Sequence, residues 1–275
     1  MKDIVENRQR ISFGKKLKIA WLAFRENGFL WSFYMGVYYI TSAISNKAFN
    51  AMDRRRRKKG LPGLNSARMN KLIWEAWDWE AGGEEWSPSP EWKQSVIDCV
   101  LKKYIPEGKH IIEIGPGGGR WTEEILKTAS KLTAFDISES CIETCKKKFA
   151  DHNNAEFLLT SGADLDGASD NSIDAVWSFD VFVHINRKEF EAYAKEFVRV
   201  LKPGGVGAIH HGTSGGAKGG WRSNVTGKDV TEILTEAGLK VETQFTSWED
   251  EDGTDHQAGL YEDAISVFSK AEGPA

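Results

Sequence analysis

The sequence has few cysteines and no long apolar run, and both shortages limit the kind of protein it encodes. Three cysteines in 275 residues give an odd count without a paired disulfide framework, so a reducing compartment fits and we expect a cytoplasmic protein. The start has no short apolar core followed by a small-residue cleavage site, which argues against export. The longest uncharged stretch, residues 28–46, is slightly short for a membrane span and contains three tyrosines. We do not expect it to cross a membrane.

An excess of positive charge is also missing. The net charge is −4 and the isoelectric point is near 5.9, which argues against a nucleic-acid partner, because such proteins usually neutralise phosphates with a basic excess. Basic residues nevertheless crowd the first sixty positions and include the run Arg54–Lys59. Beside the aromatic residues there, they could bind an anionic membrane surface. The alternative is a segment that caps a substrate pocket or forms a homodimer, and the weak amphipathicity of the segment favours this alternative.

Breaker residues divide the chain into three parts. Asn27-Gly28 predicts a break between aromatic helices, and Gly60-Leu61-Pro62-Gly63 predicts a domain boundary. We therefore expect a helical extension over residues 1–62, a tryptophan-rich lead-in and lid over 63–108, and the main domain over 109–270.

Short apolar runs alternate with helical stretches through the main domain. This alternation predicts an α/β fold, a doubly wound, mostly parallel sheet of seven strands with an N-terminal helical extension. The predicted strands are His110–Ile114, Leu132–Phe135, Glu156–Leu159, Ile173–Trp177, Val206–Ile209, Val241–Phe245 and Ala264–Phe268. The predicted helices are Trp92–Lys103, Thr122–Ala129, Glu139–Ala150, Arg187–Leu201 and Gly227–Ala237.

A glycine-rich loop, Gly115 to Gly119, follows the first predicted strand. Such a loop lets backbone N–H groups approach a ligand, and an acidic residue that ends the next strand, Asp136, can accept both ribose hydroxyls of an adenosine. The dinucleotide fingerprint requires a third glycine at Arg120, and no Gly-Lys-Ser/Thr marks a P-loop. The carboxylate of Glu113 suits an amino-acid ammonium better than a pyrophosphate. These details favour S-adenosylmethionine over a dinucleotide.

From about Lys109 to His211 the chain resembles the class I S-adenosylmethionine-dependent methyltransferases, which have a Rossmann-like fold. The matching segments are Glu113-Ile-Gly-Pro-Gly-Gly-Gly119, Ala134-Phe-Asp-Ile-Ser138, Ser161-Gly-Ala-Asp-Leu165, Asp170-Asn-Ser-Ile-Asp-Ala-Val-Trp177 and Arg199-Val-Leu-Lys-Pro-Gly-Gly205. The resemblance implies a seven-stranded sheet with an antiparallel last strand.

The resemblance also implies roles for single residues. It assigns the ribose to Asp136, which Ile137 follows, and the adenine to Gly162, Ala163 and Asp164. Ser178 to Asp180 are implied to lie near the methionine part. The full set of candidate cofactor residues is Glu113, Gly115, Gly117, Gly119, Asp136, Ile137, Gly162, Ala163, Asp164, Ser178 and the lid residue Trp86. Trp86 could equally fasten the leading helices to the core.

Methyl transfer to a hydroxyl requires a base near the donor. Candidates at predicted strand ends are His184, His211 and Asp180, with His184 first and His211 second. His210 and Arg222 are candidate substrate residues, Arg222 for an anionic acceptor. Asp180 could share a divalent metal with a histidine, but no cluster has the spacing of a structural zinc site, so the metal stays unassigned.

The sequence therefore predicts methyl transfer from S-adenosylmethionine, with S-adenosylhomocysteine as product. The favoured acceptor is an oxygen of a sugar or another polar small molecule. One alternative is a lipid N-methyltransferase at a membrane surface. A further alternative is a non-catalytic cofactor-binding partner of another enzyme.

Overall fold

The computed structural model describes residues 13–216, 222–259 and 261–273. The chain forms two units that divide between Leu61 and Pro62, inside the glycine- and proline-containing breaker cluster. In the first unit, the described part is the long helix α1 (Phe13–Lys59), which breaks at Gly28 with φ 78° and ψ 176°. Among the described residues, no helix is long and apolar enough to cross a membrane.

The second unit is built on a seven-stranded sheet. Its strand order is β3-β2-β1-β4-β5-β9-β6, and only β9 runs antiparallel to its neighbours β5 and β6. The strands are β1 (His110–Ile114), β2 (Lys131–Asp136), β3 (Ala155–Leu159), β4 (Ile173–Ser178), β5 (Leu201–Gly212), β6 (Leu239–Phe245) and β9 (Asp263–Lys270). The predicted fold class is therefore confirmed.

Helices cover both faces of this sheet. They are α2 (Ala67–Glu75), α3 (Pro90–Val96), α4 (Lys102–Tyr104), α5 (Thr122–Leu126), α6 (Glu139–Lys148), α7 (Arg187–Val200) and α8 (Gly227–Ala237). A π-helical turn (Ile97–Leu101) joins α3 to α4, and single 3₁₀ turns lie at Glu84–Trp86 and Phe182–His184. A second, two-stranded sheet, β7 (Ser247–Glu249) with β8 (Asp255–Gln257), was not predicted.

Two apolar cores lie on opposite faces of the sheet because strand side chains alternate in direction. One core packs α3, the π-turn, α5 and α6 against residues such as Ile111 and Trp177, and the other packs α7 and α8 against residues such as Ile112 and Val176. The crossing point between β1 and β4 places the carboxyl ends of both strands at one edge, where ligands of such sheets bind.

Position 207 in β5 requires glycine, because a neighbouring aromatic ring leaves no room for a side chain. It is paired with Phe268 of β9, and a Cβ at Gly207 would lie 2.2 Å from the Phe268 ring. This ring is fully buried and stacks on Phe197 of α7 at 5.3 Å, so it cannot move into solvent. The missing side chain therefore lets α7 pack onto the sheet.

We expect Gly207→Ala to lower the free energy of unfolding by about 1–3 kcal/mol through overpacking. The matched control is Gly212→Ala in the same strand, where the nearest atom to the new Cβ would be 3.8 Å away. Urea unfolding followed by circular dichroism measures both variants. Equal stability of the two variants would contradict this account of the core.

Candidate functional site

A cavity of about 600 Å³ opens at the carboxyl-terminal edge of the sheet. Its wall combines the loops after β1, β2, β3 and β4 with the tryptophan-rich segment before α3 and with residues that precede β9. This is the edge where the strand order reverses beside β1, the ligand position of doubly wound sheets. All of these lining residues belong to the second unit.

The floor of the cavity joins the glycine loop to Asp136. The Asp136 carboxylate accepts hydrogen bonds from the backbone N–H groups of Ser138 at 2.9 Å and Gly117 at 3.2 Å. Burial raises the pKa of Asp136 to about 6, although these hydrogen bonds act to lower it. Asp136, Ile137, Gly115 and Gly117 all line the cavity. A ligand hydroxyl there would meet a carboxylate that is ionised at neutral pH.

Glu113 lies beneath the loop and does not line the cavity. Its carboxylate is buried and accepts a hydrogen bond from the Thr122 hydroxyl of α5 at 2.6 Å. Burial raises the pKa of Glu113 to about 7, with the Thr122 hydrogen bond acting in the opposite direction. We expected Glu113 to contact a ligand ammonium, but its hydrogen-bond partner in the structure is Thr122 of α5. Gly119 also lies outside the wall, where a Cβ would lie 2.6 Å from the Phe149 ring.

Only part of the segment expected along the adenine reaches the cavity. Gly162 and Thr160 line it, whereas Ala163 and Asp164 do not. The Asp164 carboxylate turns back and accepts hydrogen bonds from the Ser161 N–H at 3.1 Å and from the Ser161 and Thr160 hydroxyls. Asp164 therefore closes the turn after β3 and does not face the cavity. Its hydrogen bonds outweigh the effect of burial and lower its pKa.

Four tryptophans, Trp74, Trp77, Trp79 and Trp86, form a cluster over the glycine loop. Ring centroids of Trp86 lie 5.4 Å from Trp77 and 5.6 Å from Trp79, and all four residues line the cavity. A Cβ at Gly117 would lie 2.6 Å from the Trp79 ring, so a larger residue at this position would push the cluster away. The tryptophan-rich segment thus forms a wall of the site, and Trp86 contributes to it.

Arg120 and Asp180 form an ion pair in the cavity wall. The Arg120 Nη2 atom donates to Asp180 Oδ2 at 2.5 Å, and the guanidinium lies over the Trp121 ring at 4.8 Å. Burial acts to raise the pKa of Asp180, but hydrogen bonding with His210 and the charge of Arg120 hold it well below its usual range. Asp180 is therefore ionised and already paired. Because it is paired and its pKa is low, Asp180 is a poor general base.

The three candidate histidines occupy different environments. His184 lines the cavity and its ring lies 5.3 Å from Trp74, while its backbone carbonyl accepts from the Asn70 side chain at 3.1 Å. His210 lies behind the wall, where it stacks on Phe179 at 4.3 Å and its Nδ1 lies 3.1 Å from Asp180 Oδ1. Of the three, only His184 is in the wall.

His211 is a correction to the sequence expectation. Alternation along β5 turns its side chain to the opposite face from His210. The ring is fully buried, with Nε2 at 2.8 Å from the Ser266 hydroxyl and Nδ1 at 3.0 Å from the Gly212 carbonyl. Burial lowers the pKa of His211 to about 4. The residue does not line the cavity, so the structure does not support its proposed role as base.

Asp263 was missed in the sequence because a single acidic residue at a strand start carries no signal. Its side chain is fully buried, and Oδ2 accepts from Arg222 Nη2 at 2.6 Å. Burial raises the pKa of Asp263 against the opposing charges of His210 and Arg222. Asp263 Oδ1 and Arg222 Nε are buried without a hydrogen-bond partner in the described part of the chain. Both residues line the cavity, while these two atoms are shielded from solvent.

Two further expectations concern residues away from the wall. Ser178 is buried and donates to the Ile114 carbonyl at 2.8 Å, which ties the end of β4 to β1. Residues 217–221, which precede the candidate substrate residue Arg222, lie outside the described residues. Within the described residues, no group of three His, Cys, Asp or Glu could hold a metal ion.

The part of the chain that forms the first half of the sheet is similar in sequence to known proteins. Residues 111–205 match a family model described as a methyltransferase domain. A phosphoethanolamine N-methyltransferase of Triticum aestivum is 35% identical over 110 residues, which cover 40% of this chain and 21% of that protein. A ubiquinone biosynthesis O-methyltransferase of Xanthomonas oryzae is 23% identical over 46% of this chain and 52% of that protein. The chain thus spans about a fifth of the first of these relatives.

Solved structures agree on the fold. An S-adenosylmethionine-dependent methyltransferase from Aquifex aeolicus aligns over 70% of this chain and 98% of its own with a TM-score of 0.53 and 20% identity. One from Methanosarcina mazei aligns over 63% of this chain and 98% of its own, with a TM-score of 0.51 and 18% identity. Residues 111–205 thus match a methyltransferase domain, and the strand order and the solved structures show that the chain has the fold of the class I S-adenosylmethionine-dependent methyltransferases.

Proposed function

We propose that the chain transfers a methyl group from S-adenosylmethionine to an oxygen of a small polar molecule bound in the cavity. The observation that carries this proposal is that one cavity is lined both by the Asp136 carboxylate and by the buried pair Asp263–Arg222 with its unpartnered atoms. The first suits a nucleoside and the second suits a polar acceptor. S-adenosylmethionine would supply the methyl group from its sulfonium, and breaking of that carbon–sulfur bond would leave S-adenosylhomocysteine.

The residues fit this donor. The Asp136 carboxylate accepts hydrogen bonds from ribose hydroxyls, and the backbone of Gly115 and Gly117 allows close approach beside it. The pair Arg120–Asp180 offers one positive and one negative charge, which complement the carboxylate and ammonium of the methionine part. This assignment gives Asp180 a binding role and leaves proton removal to another group.

His184 is the base in this proposal. It is the one candidate histidine in the wall, and an imidazole accepts a proton near neutral pH. An acceptor hydroxyl aligned with the donor would give its proton to His184 as the new carbon–oxygen bond forms. The tryptophan cluster excludes water around the reacting atoms.

The buried pair Asp263–Arg222 suits a part of a polar acceptor other than the hydroxyl that reacts beside His184. A hydroxyl of the acceptor would donate to Asp263 Oδ1 or accept from Arg222 Nε, and each of these buried atoms would gain from a partner. An acceptor with several hydroxyl groups, such as a sugar, fits this arrangement.

An amine acceptor is the second candidate, because aromatic rings dominate the wall. Besides the four clustered tryptophans, Trp92, Trp121, Tyr193 and Tyr261 line the cavity. Aromatic faces attract cations, and the wheat relative is named for N-methylation. Measuring S-adenosylhomocysteine formation with panels of hydroxyl compounds and amines separates the two candidates.

We expect Asp136→Asn to weaken S-adenosylmethionine binding by about 10- to 100-fold, because hydrogen bonds to a charged group are worth about 1.5–3 kcal/mol. Isothermal titration calorimetry measures this change. Asp164→Asn is the matched control, since Asp164 lies outside the cavity, and its effect should be much smaller. A larger loss in the control than in Asp136→Asn would contradict the assignment of the ribose.

Binding of S-adenosylhomocysteine should weaken as the pH falls. The folded protein without ligand has an Asp136 pKa of about 6, and only the ionised carboxylate accepts both ribose hydroxyls. Affinity should therefore be full above that pKa and fall by about tenfold at pH 5. The Asp136→Asn variant keeps Glu113 but lacks this titration, so its profile should be flatter. Identical profiles for both proteins would argue against Asp136.

Replacing His184 with asparagine should lower turnover by about 100-fold, since positioned bases contribute at least that factor, and should leave S-adenosylmethionine affinity nearly unchanged. The readout is S-adenosylhomocysteine formation with an acceptor found in the panel. His211→Asn tests the rejected candidate and should affect stability more than the chemical step. If turnover survives His184→Asn, another group removes the proton.

A further inference from the structure

Helix α1 leaves an unusual number of large apolar side chains exposed. Phe29 is 72% exposed, Tyr34 62% and Ile40 64%. The same holds for Trp21, Leu22, Phe24, Leu30, Trp31, Phe33, Val37, Tyr38, Tyr39 and Ile44. A monomeric protein rarely exposes so continuous an apolar surface, so this helix is built to meet a partner.

The apolar surface surrounds the helix. Phe29, Leu30 and Trp31 follow one another, point in directions about 100° apart, and are 72%, 62% and 50% exposed. A single groove in a folded partner covers one face of a helix and would leave the others in water. A fluid lipid surface differs from such a groove, because side chains on the flanks of a helix can bend into it.

The positive charge of α1 is the second observation about its partner. Residues 13–59 contain eleven Lys and Arg against Glu26 and Asp53, a net charge of +9 in a chain whose total is −4. The basic residues flank the uncharged stretch 28–46 on both sides, with Lys18 and Arg25 before it and Lys47 and Arg54–Lys59 after it. Arg56 and Arg57 share Asp53, while Arg54, Arg55, Lys58 and Lys59 are exposed.

We propose that α1 docks on an anionic lipid surface. Its tryptophans and tyrosines suit the headgroup region, where amphipathic rings are enriched, and the basic ends meet the lipid phosphates. A second copy of α1 fits poorly, because both ends of the helix are basic and either parallel or antiparallel pairing brings like charges together. The proposal concerns residues of the first unit alone and does not rest on the proposed methyl transfer.

The break at Gly28 suits an interfacial position. Gly28 has φ 78° and ψ 176°, which turns the helix between residues 13–27 and the uncharged stretch. The uncharged stretch therefore takes its own direction along the surface, with basic residues at each end. No described helix is long and apolar enough to cross a membrane, and docking on the surface needs no crossing.

Flotation of the full chain with lipid vesicles tests this proposal. We expect binding to vesicles of phosphatidylcholine with one quarter phosphatidylglycerol, and at least about tenfold less binding to phosphatidylcholine alone. Raising the salt to about 1 M should weaken the initial attraction, because it shortens the screening length to about 3 Å. Equal binding to both vesicle types, or to neither, would overturn the proposal.

Two sets of variants separate the contribution of the basic residues from that of the apolar side chains. Replacing Arg54, Arg55, Lys58 and Lys59 with glutamine should reduce flotation with anionic vesicles at least about tenfold, whereas lysine at positions 54 and 55 should preserve it. Phe29→Gln with Trp31→Gln should also reduce flotation. Leu72→Gln in α2, where Leu72 is 60% exposed, controls for loss of an exposed apolar side chain elsewhere.

Two other partners of α1, a second copy of the chain and RNA, would give results that differ from those expected for lipid. If α1 joins two copies of the chain, light scattering will show a dimer that the Phe29 and Trp31 variants dissociate, and vesicles will have no effect. If α1 binds RNA, a polyanion will bind the chain without vesicles and will not need Phe29 or Trp31. Either result overturns docking on lipid. S-adenosylmethionine binding should be unchanged in every variant, which shows that the second unit is folded and keeps the two proposals independent.

Discussion

The hydrogen bond from the Gly117 backbone to the Asp136 carboxylate is the constraint on which the site depends. It ties the loop after β1 to the end of β2 at 3.2 Å and holds a buried carboxylate at the floor of the cavity. The loop in turn positions the tryptophan cluster, because Trp79 packs where a Gly117 side chain would lie. One backbone contact thus couples the glycine loop, the buried Asp136 carboxylate and the tryptophan wall above them.

Charge is concentrated at the other side of the cavity. Asp180 is paired with Arg120 and lies beside His210, while Asp263 is paired with Arg222. The first pair is satisfied and held ionised, whereas the second retains unpartnered buried atoms. Buried polar atoms without partners are costly, and a ligand that satisfies them recovers that cost. This contrast is why we propose donor binding for the first pair and acceptor binding for the second.

Much of the fold could be predicted from the sequence, because apolar runs and helix periodicity are local signals. All seven strands of the main sheet lie where the pattern predicts them, and α8 has the predicted bounds. The short, polar strands β7 and β8 carry no such signal. The site was harder. Adjacent residues of a strand face opposite sides, so His210 and His211 cannot share an environment, and the pairing of Asp263 with Arg222 depends on residues 41 positions apart.

The most direct test of the central claim is a crystal structure of the chain with S-adenosylhomocysteine. The account predicts that the ribose hydroxyls lie within hydrogen-bond distance of the Asp136 carboxylate and that the aminocarboxyl end lies beside Arg120 and Asp180. A complex in which the ribose contacts other residues, or in which the ligand binds outside this cavity at saturating concentration, would contradict it.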